Sequence, residues 1–237
     1  MFDYQLIRSS KRKTLTLQIK QGKMFVRAPQ RLPLCEIESF INKKSLWLKQ
    51  KLTEQKLRIQ TTQHSAINYS HGSEILYLGE KKYLDIQFKN TNNICISAEC
   101  IHIDISNRKL KNIHNATDLT VCVKQAIAHF FKKKTEEYLL LKLPELTEKL
   151  QLFPHQHKVR FYKRRWGSCN NRAELSFNYL LMMTPLWVID YVIIHELCHI
   201  QHLNHSPAFW QLVEKYQPNY KQAKNWLKDH QTMLMWD

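Results

Sequence analysis

Apolar and polar side chains alternate along the first thirty residues of the chain. Apolar residues stand at every second position around Leu6, Leu17 and Val26, and polar stretches at residues 9–13 and 21–22 separate these runs. A period of two is typical of strands that bury one face, and short polar breaks are typical of turns. The pattern predicts short antiparallel strands.

A period of three to four residues follows, then a second region of alternation. The apolar spacing predicts one long helix over 33–57. Alternation returns on either side of Gly79, in the segments 75–78 and 83–88, and continues over 94–105. A hairpin and further strands are therefore expected after the helix.

Helical periodicity dominates the chain from Ala116 onward. One long amphipathic helix is predicted to begin there and to kink or break at Pro144, because proline has no N–H for the helical ladder. Two short strands, 159–164 and 174–178, are expected to flank a turn at 166–168.

Two dipeptides have the form of a helix start. In Thr184-Pro185 and Ser206-Pro207, the hydroxyl residue can cap the helix while proline fits its first turn. A last helix is predicted over 218–230. The sequence therefore predicts three consecutive helices near the C-terminus.

These patterns predict an α+β fold with two regions. Residues 1–112 form a strand-rich N-terminal region that contains one long helix, and residues 113–237 form a mainly helical region with a small antiparallel sheet. No internal repeat is evident.

The composition argues against a membrane protein or a secreted protein, and it gives the chain a strong positive charge. No apolar run approaches the roughly 20 residues of a membrane span, and the first residues lack the apolar core of a signal peptide. The 6 cysteines include no C-x-x-C pair, so reduced thiols in a cytoplasmic protein are expected.

The 36 Lys and Arg residues exceed the 20 Asp and Glu residues, which gives a net charge of +16. Such an excess attracts anions: nucleic acid, nucleotides or acidic surfaces.

His195, Glu196 and His199 form the pattern H-E-x-x-H within the first of the three C-terminal helices. Residues four apart lie on one helix face, so both imidazoles can reach a single metal ion. Glu196 lies about 100° around the axis, from where it can take a proton from metal-bound water without being a ligand. This arrangement predicts a metal-dependent hydrolase.

A third histidine completes the ligand set that catalytic zinc usually has. His205 follows where one helix ends and the next begins, a position from which the chain can turn back. Three protein ligands and one water are typical of catalytic zinc, so His195, His199 and His205 predict one Zn²⁺ per chain. His202 lies nearly on the same face as His199 and is a candidate for stabilising developing charge, although a solvated position is an equal alternative.

Two arginines near Trp166 are further candidates. Arg165 can hold a substrate carboxylate, a phosphate or the transition-state oxyanion, or it can serve only as the ion-pair partner of an acid. Arg164 and Arg165 together are compatible with a triphosphate. Cys169 is expected to pack rather than to bind the metal.

Longer stretches of the chain resemble one family. The residues are Arg164 to Cys169, then Leu175 with Asn178, Asp190 leading into His195–His199, and Asn204 to Trp210. The chain is similar to the YgjP-like metallopeptidases, relatives of the SprT-like zincin proteases. The resemblance implies a zincin-like catalytic half in which His195, His199 and His205 bind zinc and Glu196 is the catalytic base.

Three functions are consistent with the sequence. Hydrolysis of peptide bonds by metal-activated water is the first, and the resemblance also implies nucleotide (UTP) pyrophosphatase activity as an alternative. A basic nucleic-acid-binding module with a structural metal is the third. The expected partners are a peptide, protein or nucleotide substrate, with non-specific nucleic-acid contact through the basic surface and no membrane. The sequence leaves the oligomeric state open.

Overall fold

The computed structural model describes residues 3–20, 23–62, 69–111, 113–231, 233–234 and 236. The chain divides into two compact units, residues 1–65 and residues 66–237. Helices and small mixed sheets are both present, which confirms the predicted α+β class. The change from strands to helices that the sequence places at residue 112 lies inside the second unit, and a domain division there stays a prediction.

A three-stranded sheet followed by two helices makes up the first unit: β1 (Tyr4–Ser9), β2 (Thr16–Lys20), β3 (Lys23–Pro29), α1 (Leu34–Lys43) and α2 (Ser45–Thr62). Central β3 pairs antiparallel with β2 but parallel with β1. The expectation of antiparallel strands was therefore wrong for β1, because alternation specifies the buried face and not the direction of the neighbouring strand. The predicted turn at 21–22 lies outside the described residues.

The single helix predicted over 33–57 is broken at Lys44 into α1 and α2. Ile37, Ile41 and Leu48, from both sides of the break, are nevertheless buried in one core against the sheet. The apolar spacing continues through the break, so the sequence gives no sign of it.

The second unit contains two sheets and the longer helices. Its elements are β4 (Glu74–Tyr77), β5 (Glu80–Lys89), β6 (Asn93–Ile96), β7 (Cys100–Ser106), α3 (Asn107–Leu110), α4 (Ala116–Leu150), β8 (Gln156–Arg160), β9 (Gly167–Cys169), β10 (Glu174–Asn178), a 3₁₀ helix (Tyr179–Met183), α5 (Leu186–Gln201), α6 (Pro207–Tyr216) and α7 (Tyr220–Asp229). The first sheet has the order β4-β5-β7-β6 and includes the predicted hairpin of β4 and β5. Helix α4 continues through Pro144 without ending.

The small sheet has the order β8-β10-β9. Strand β10 pairs parallel with β8 and antiparallel with β9, so the prediction of an antiparallel sheet was wrong for β8. Gly167 and Ser168, expected in a turn, belong to β9 and pair with Phe177 and Ser176. Strand β10 follows β8 and β9 in sequence and lies between them, so β8 and β9 are the two edge strands. The edge strand β9 lies beside α5.

The start of α5 differs from the predicted cap. The Thr184 hydroxyl donates to the Leu181 carbonyl oxygen at 2.9 Å and ends the 3₁₀ helix, while Pro185 occupies the N-cap position of α5. Gly79, in the β4–β5 turn, has φ 85° and donates its N–H to the Met183 carbonyl oxygen at 3.2 Å. A Cβ on Gly79 would lie 2.5 Å from the Pro185 ring, so a glycine is needed where this turn meets the helix.

Packing and polar contacts with α4 hold α5 in place within the second unit. Ile189, Ile193 and Leu197 on this helix are fully buried. The Tyr138 hydroxyl of α4 donates to Asp190 Oδ1 at 2.6 Å, which joins the two helices. Among the described residues, no helix has both the length and the apolar character needed to cross a bilayer.

Candidate metal centre

Two imidazoles project from one face of α5, as the spacing predicts. The ring centroids of His195 and His199 are 4.8 Å apart. The ring of Tyr191, one turn earlier, lies against His195 at 5.7 Å. Side chains four residues apart stack along a helix, so the local sequence alone brings these three rings together.

His205 joins them from the segment between α5 and α6. Its Nε2 atom lies 3.1 Å from His195 Nε2, and the three histidines place ligand atoms within 4.8 Å of one another. The Ser206 hydroxyl accepts a hydrogen bond from the Phe209 N–H at 3.3 Å and caps α6, as its sequence predicts. This cap fixes the chain directly after His205.

The nitrogen atoms of the three rings fit a zinc ion. His199 Nδ1 lies 2.9 Å from the His202 carbonyl oxygen, which can only accept, so His199 Nδ1 carries the hydrogen and Nε2 is left to bind. His195 Nδ1 is buried and has no hydrogen-bond partner among the described residues. Burial and the neighbouring imidazoles lower the pKa of His195 to about 3, which keeps it in the neutral form that metals bind.

Aromatic side chains of α6 and α7 hold the histidines in place. The Phe209 ring stacks on His199 at 4.4 Å, and the Trp210 ring stacks on His205 at 5.5 Å. Tyr220 of α7 in turn stacks on Trp210, with the ring centroids 5.2 Å apart. Rings packed in this way limit rotation of the imidazoles, so the ligand set is pre-organised.

The carboxylate of Glu196 lies against the backbone of β9. A Cβ built on Gly167 would come within 2.6 Å of Glu196 Cγ and 2.7 Å of its Oε1, so only glycine leaves room for this side chain. Glu196 is 5% exposed. Burial raises the pKa of Glu196 to about 8, although the positive charge of Arg165 opposes the rise. A carboxyl with such a pKa is suited to exchange protons near neutral pH.

These groups line one cavity of about 540 Å³. The three histidines and Glu196 share it with two cationic side chains, Arg165 and Lys224. The Lys224 ammonium lies 4.6 Å above the Trp210 ring, in cation–π contact. The cavity therefore combines a metal-binding set, a carboxyl and two positive charges.

A model of the YgjP-like metallopeptidase domain matches residues 13–230. The chain belongs to the YgjP-like family. The match covers most of both units and confirms the resemblance that the sequence shows. Searches of curated proteins and of solved structures found no match. A metallopeptidase domain makes the protein a metal-dependent hydrolase in general terms.

The other predicted site residues are dispersed around this cavity. Arg165 lines it, whereas Arg164 lines an adjoining cleft. His202 contributes its carbonyl oxygen to His199 rather than an imidazole to the cavity lining. Cys169 lines the cavity, and burial raises the pKa of its thiol to about 11. Among the described residues, the cluster of ligand atoms consists of the three histidines and does not include Cys169.

Sequence reasoning missed three residues of the site. Tyr191 is not among the predicted site residues, although its spacing of four residues from His195 places the two side chains on one face of α5. Gly167 was assigned to a turn, and its contact with Glu196 depends on the pairing of β9. Lys224 is one of several lysines in the helix predicted over 218–230, and no sequence signal distinguishes it.

Proposed function

We propose that this protein is a zinc-dependent peptidase that uses Glu196 as general base. One Zn²⁺ per chain would be held by His195, His199 and His205. The observation that carries the proposal is the buried Glu196 carboxyl in the same cavity as three convergent imidazoles, with the backbone of Gly167 against it. Three protein ligands match catalytic zinc, which keeps a coordination position for water or substrate.

The chemistry divides between the metal and the protein. Zinc, when bound, polarises a carbonyl group and lowers the pKa of a water molecule to about 7. Glu196 takes the proton from the attacking water as the new C–O bond forms. It then delivers that proton to the leaving nitrogen as the C–N bond breaks. Arg165 and Lys224 supply positive charge for the oxyanion that develops between these two steps.

The position of β9 favours an extended peptide as substrate. This strand is at the edge of its sheet, and its residues Gly167, Ser168 and Cys169 line the cavity. An edge strand offers backbone donors and acceptors to an added strand. A peptide paired along β9 would pass beside Glu196, so its carbonyl groups would be presented to the site.

A nucleotide pyrophosphatase is the second candidate function. The two cations in the cavity, Arg165 and Lys224, favour it because phosphates bind to Arg and Lys. With 4 glycines in the whole chain, a glycine-rich phosphate loop is not available, which favours the peptidase.

Variants of Glu196 and His199 test the proposal. We expect Glu196→Gln to retain zinc and to lose peptide hydrolysis by at least about a hundredfold, since general-base catalysis commonly contributes that much. His199→Ala should lose the metal itself, whereas His157→Ala, an exposed histidine on β8, should retain it. Zinc content by elemental analysis and turnover of unfolded casein and of UTP are the measurements.

The outcomes separate the candidate functions. Casein cleavage that Glu196→Gln abolishes supports the peptidase, and UTP hydrolysis with the same dependence supports the pyrophosphatase. Full activity of Glu196→Gln on either substrate would refute its role as base. Full zinc content in His199→Ala would refute the ligand set.

A further inference from the structure

A second cleft of about 530 Å³ adjoins the metal cavity. Arg165, Trp166 and Leu227 line both, so the two are neighbours across these side chains. A substrate whose scissile bond lies in the metal cavity could therefore extend into this cleft. Its volume is in the ordinary range for side-chain and small-ligand pockets.

The lining of this cleft is cationic. Lys163, Arg164, Arg165 and Lys228 contribute four positive side chains, and no carboxylate occurs among the described residues that line it. A concave surface lined by charges of one sign concentrates the field and attracts ligands of opposite sign. A cleft with this lining is suited to anionic ligands.

Three of the four cations are presented by a segment that is fixed at both ends, and the fourth, Lys228, lies on α7. The side chain of Asn178 is 2% exposed, and its amide donates to the carbonyl oxygens of Tyr162 and Arg165, each at 2.8 Å. Asn178 thus fixes the chain on either side of Lys163 and Arg164. Pre-organised charges lose less entropy on binding than charges on a mobile loop.

The aromatic rings near this cleft are engaged by protein partners. Tyr179 contacts both Phe161 and Trp236, with centroids 5.9 and 6.1 Å apart. The Arg160 guanidinium lies 4.5 Å above the ring of Tyr162. Recognition of single-stranded nucleic acid depends on rings that stack with bases. Trp166, the fourth aromatic ring of the lining, packs against the core of the second unit. Since all four rings have partners within the protein, the cations provide the recognition, which favours an acidic peptide over a nucleic acid.

We propose that this cleft binds acidic side chains of the substrate, so that the protein prefers to cleave next to Asp- or Glu-rich segments. The inference rests on the proposed peptidase function, because it assigns a substrate class to that site. Arg164 and Lys228 are its specificity-determining residues, and Arg165 connects the cleft to the metal cavity.

Binding to the Glu196→Gln protein tests the inference without hydrolysis. Two fluorescent peptides of equal length are compared, one with Asp and Glu residues and the other with Asn and Gln at the same positions. We expect the acidic peptide to bind at least about tenfold more tightly, as charge-assisted hydrogen bonds imply. Adding Arg164→Glu and Lys228→Glu should remove this preference. Lys215→Glu with Lys221→Glu changes the net charge equally outside both cavities and should retain the preference.

Hydrolysis by the wild-type protein is the second arm. The ratio of kcat/KM for the acidic and neutral peptides should fall about tenfold or more in the Arg164→Glu, Lys228→Glu protein and should be unchanged in the Lys215→Glu, Lys221→Glu protein. Acidic preference in binding without cleavage of either peptide would support acidic recognition by the cleft and overturn the peptidase proposal.

Other outcomes overturn the inference while the peptidase proposal stands. One is equal binding and equal cleavage of the two peptides. Another is an acidic preference that survives charge reversal at Arg164 and Lys228. A third is a single-stranded oligonucleotide that binds through Arg164 and Lys228 while the peptides are not distinguished. That third result would make the cleft a nucleic-acid groove.

Discussion

The contact between Gly167 and Glu196 shows how one residue without a side chain determines where another one lies. Glu196 has a buried carboxyl beside the histidines because β9 presents bare backbone there. Burial in turn raises the pKa of Glu196. The position and the proton affinity of this carboxyl therefore have the same structural origin.

A methyl group at Gly167 should displace the carboxylate. The Cβ of Gly167→Ala would lie 2.6 Å from Glu196 Cγ, closer than atoms can approach. We expect peptide hydrolysis to fall about tenfold or more, since small displacements of catalytic groups have effects of this size, while zinc is retained. Gly72→Ala is the control: its φ is 79°, and no atom lies within 4 Å of the added Cβ. It should lower the Tm and leave the activity per folded molecule unchanged. Equal activity of the Gly167→Ala and wild-type proteins would contradict the contact.

The raised pKa of Glu196 predicts how stability changes with pH in the metal-free protein. Between the usual value of 4.5 and about 8, the folded protein keeps the proton that the unfolded chain releases. The wild-type free energy of unfolding therefore falls as the pH rises through this interval, by at most about 1.4 kcal/mol per pH unit from this group. In Glu196→Gln the side chain at this position does not titrate, so this contribution to the fall in the free energy of unfolding is absent.

Urea unfolding of chelator-treated proteins measures the effect. The difference in free energy of unfolding between Glu196→Gln and wild type should shift in favour of the variant when the pH is raised from about 5 to about 8. A difference between the two proteins that does not change with pH would show that Glu196 ionises normally in the fold.

At the scale of elements, the candidate metal site depends on the junction of α5 and α6. Helix α5 places two imidazoles on one face because they are four residues apart, and the third imidazole comes from the segment that precedes α6. Ser206-Pro207 starts α6 as predicted, and the aromatic residues just after it contact His199 and His205. Thr184-Pro185 has the same form but a different outcome, because Thr184 is buried at the end of the 3₁₀ helix.

Removal of the α6 cap should destabilise the protein. Ser206→Ala loses the acceptor for the Phe209 N–H and should lower the free energy of unfolding by about 1 kcal/mol. Ser206→Asp keeps an acceptor at this position and should restore most of that loss. Chemical unfolding of the three proteins is the measurement. Equal destabilisation by alanine and aspartate would mean that the serine acts through packing instead of capping.

At the scale of the whole molecule, the dominant property is the net charge of +16. Part of this charge lines the metal cavity and the adjoining cleft. Diffuse positive charge attracts any polyanion through counterion release, without regard to its sequence.

Weak, non-specific DNA binding is therefore expected. The affinity for a short duplex should fall by roughly tenfold or more between about 50 and 200 mM salt. Two unrelated duplexes should bind equally, as measured by fluorescence anisotropy at each salt concentration. Binding that distinguishes the two sequences, or that does not respond to salt, would require a specific nucleic-acid site instead.

Local sequence determined the parts of this protein that depend on neighbours along the chain. The period of α5 places His195 and His199 on one face, and the Ser206-Pro207 cap starts α6, because helix geometry relates residues three and four apart. The α+β class, the hairpin of β4 and β5, and the family resemblance were also evident before the structure.

Tertiary structure alone decided the features that join distant segments. Parallel pairing of β1 with β3 and of β8 with β10, the contact of Gly167 with Glu196, and the place of Lys224 in the metal cavity all depend on which elements become neighbours. Periodicity records which face of an element is buried, but it does not record what that face is buried against. The sequence therefore brought forward the three candidate metal ligands, which the structure places together, whereas packing determined the surroundings of Glu196 and the shape of the cavity around it.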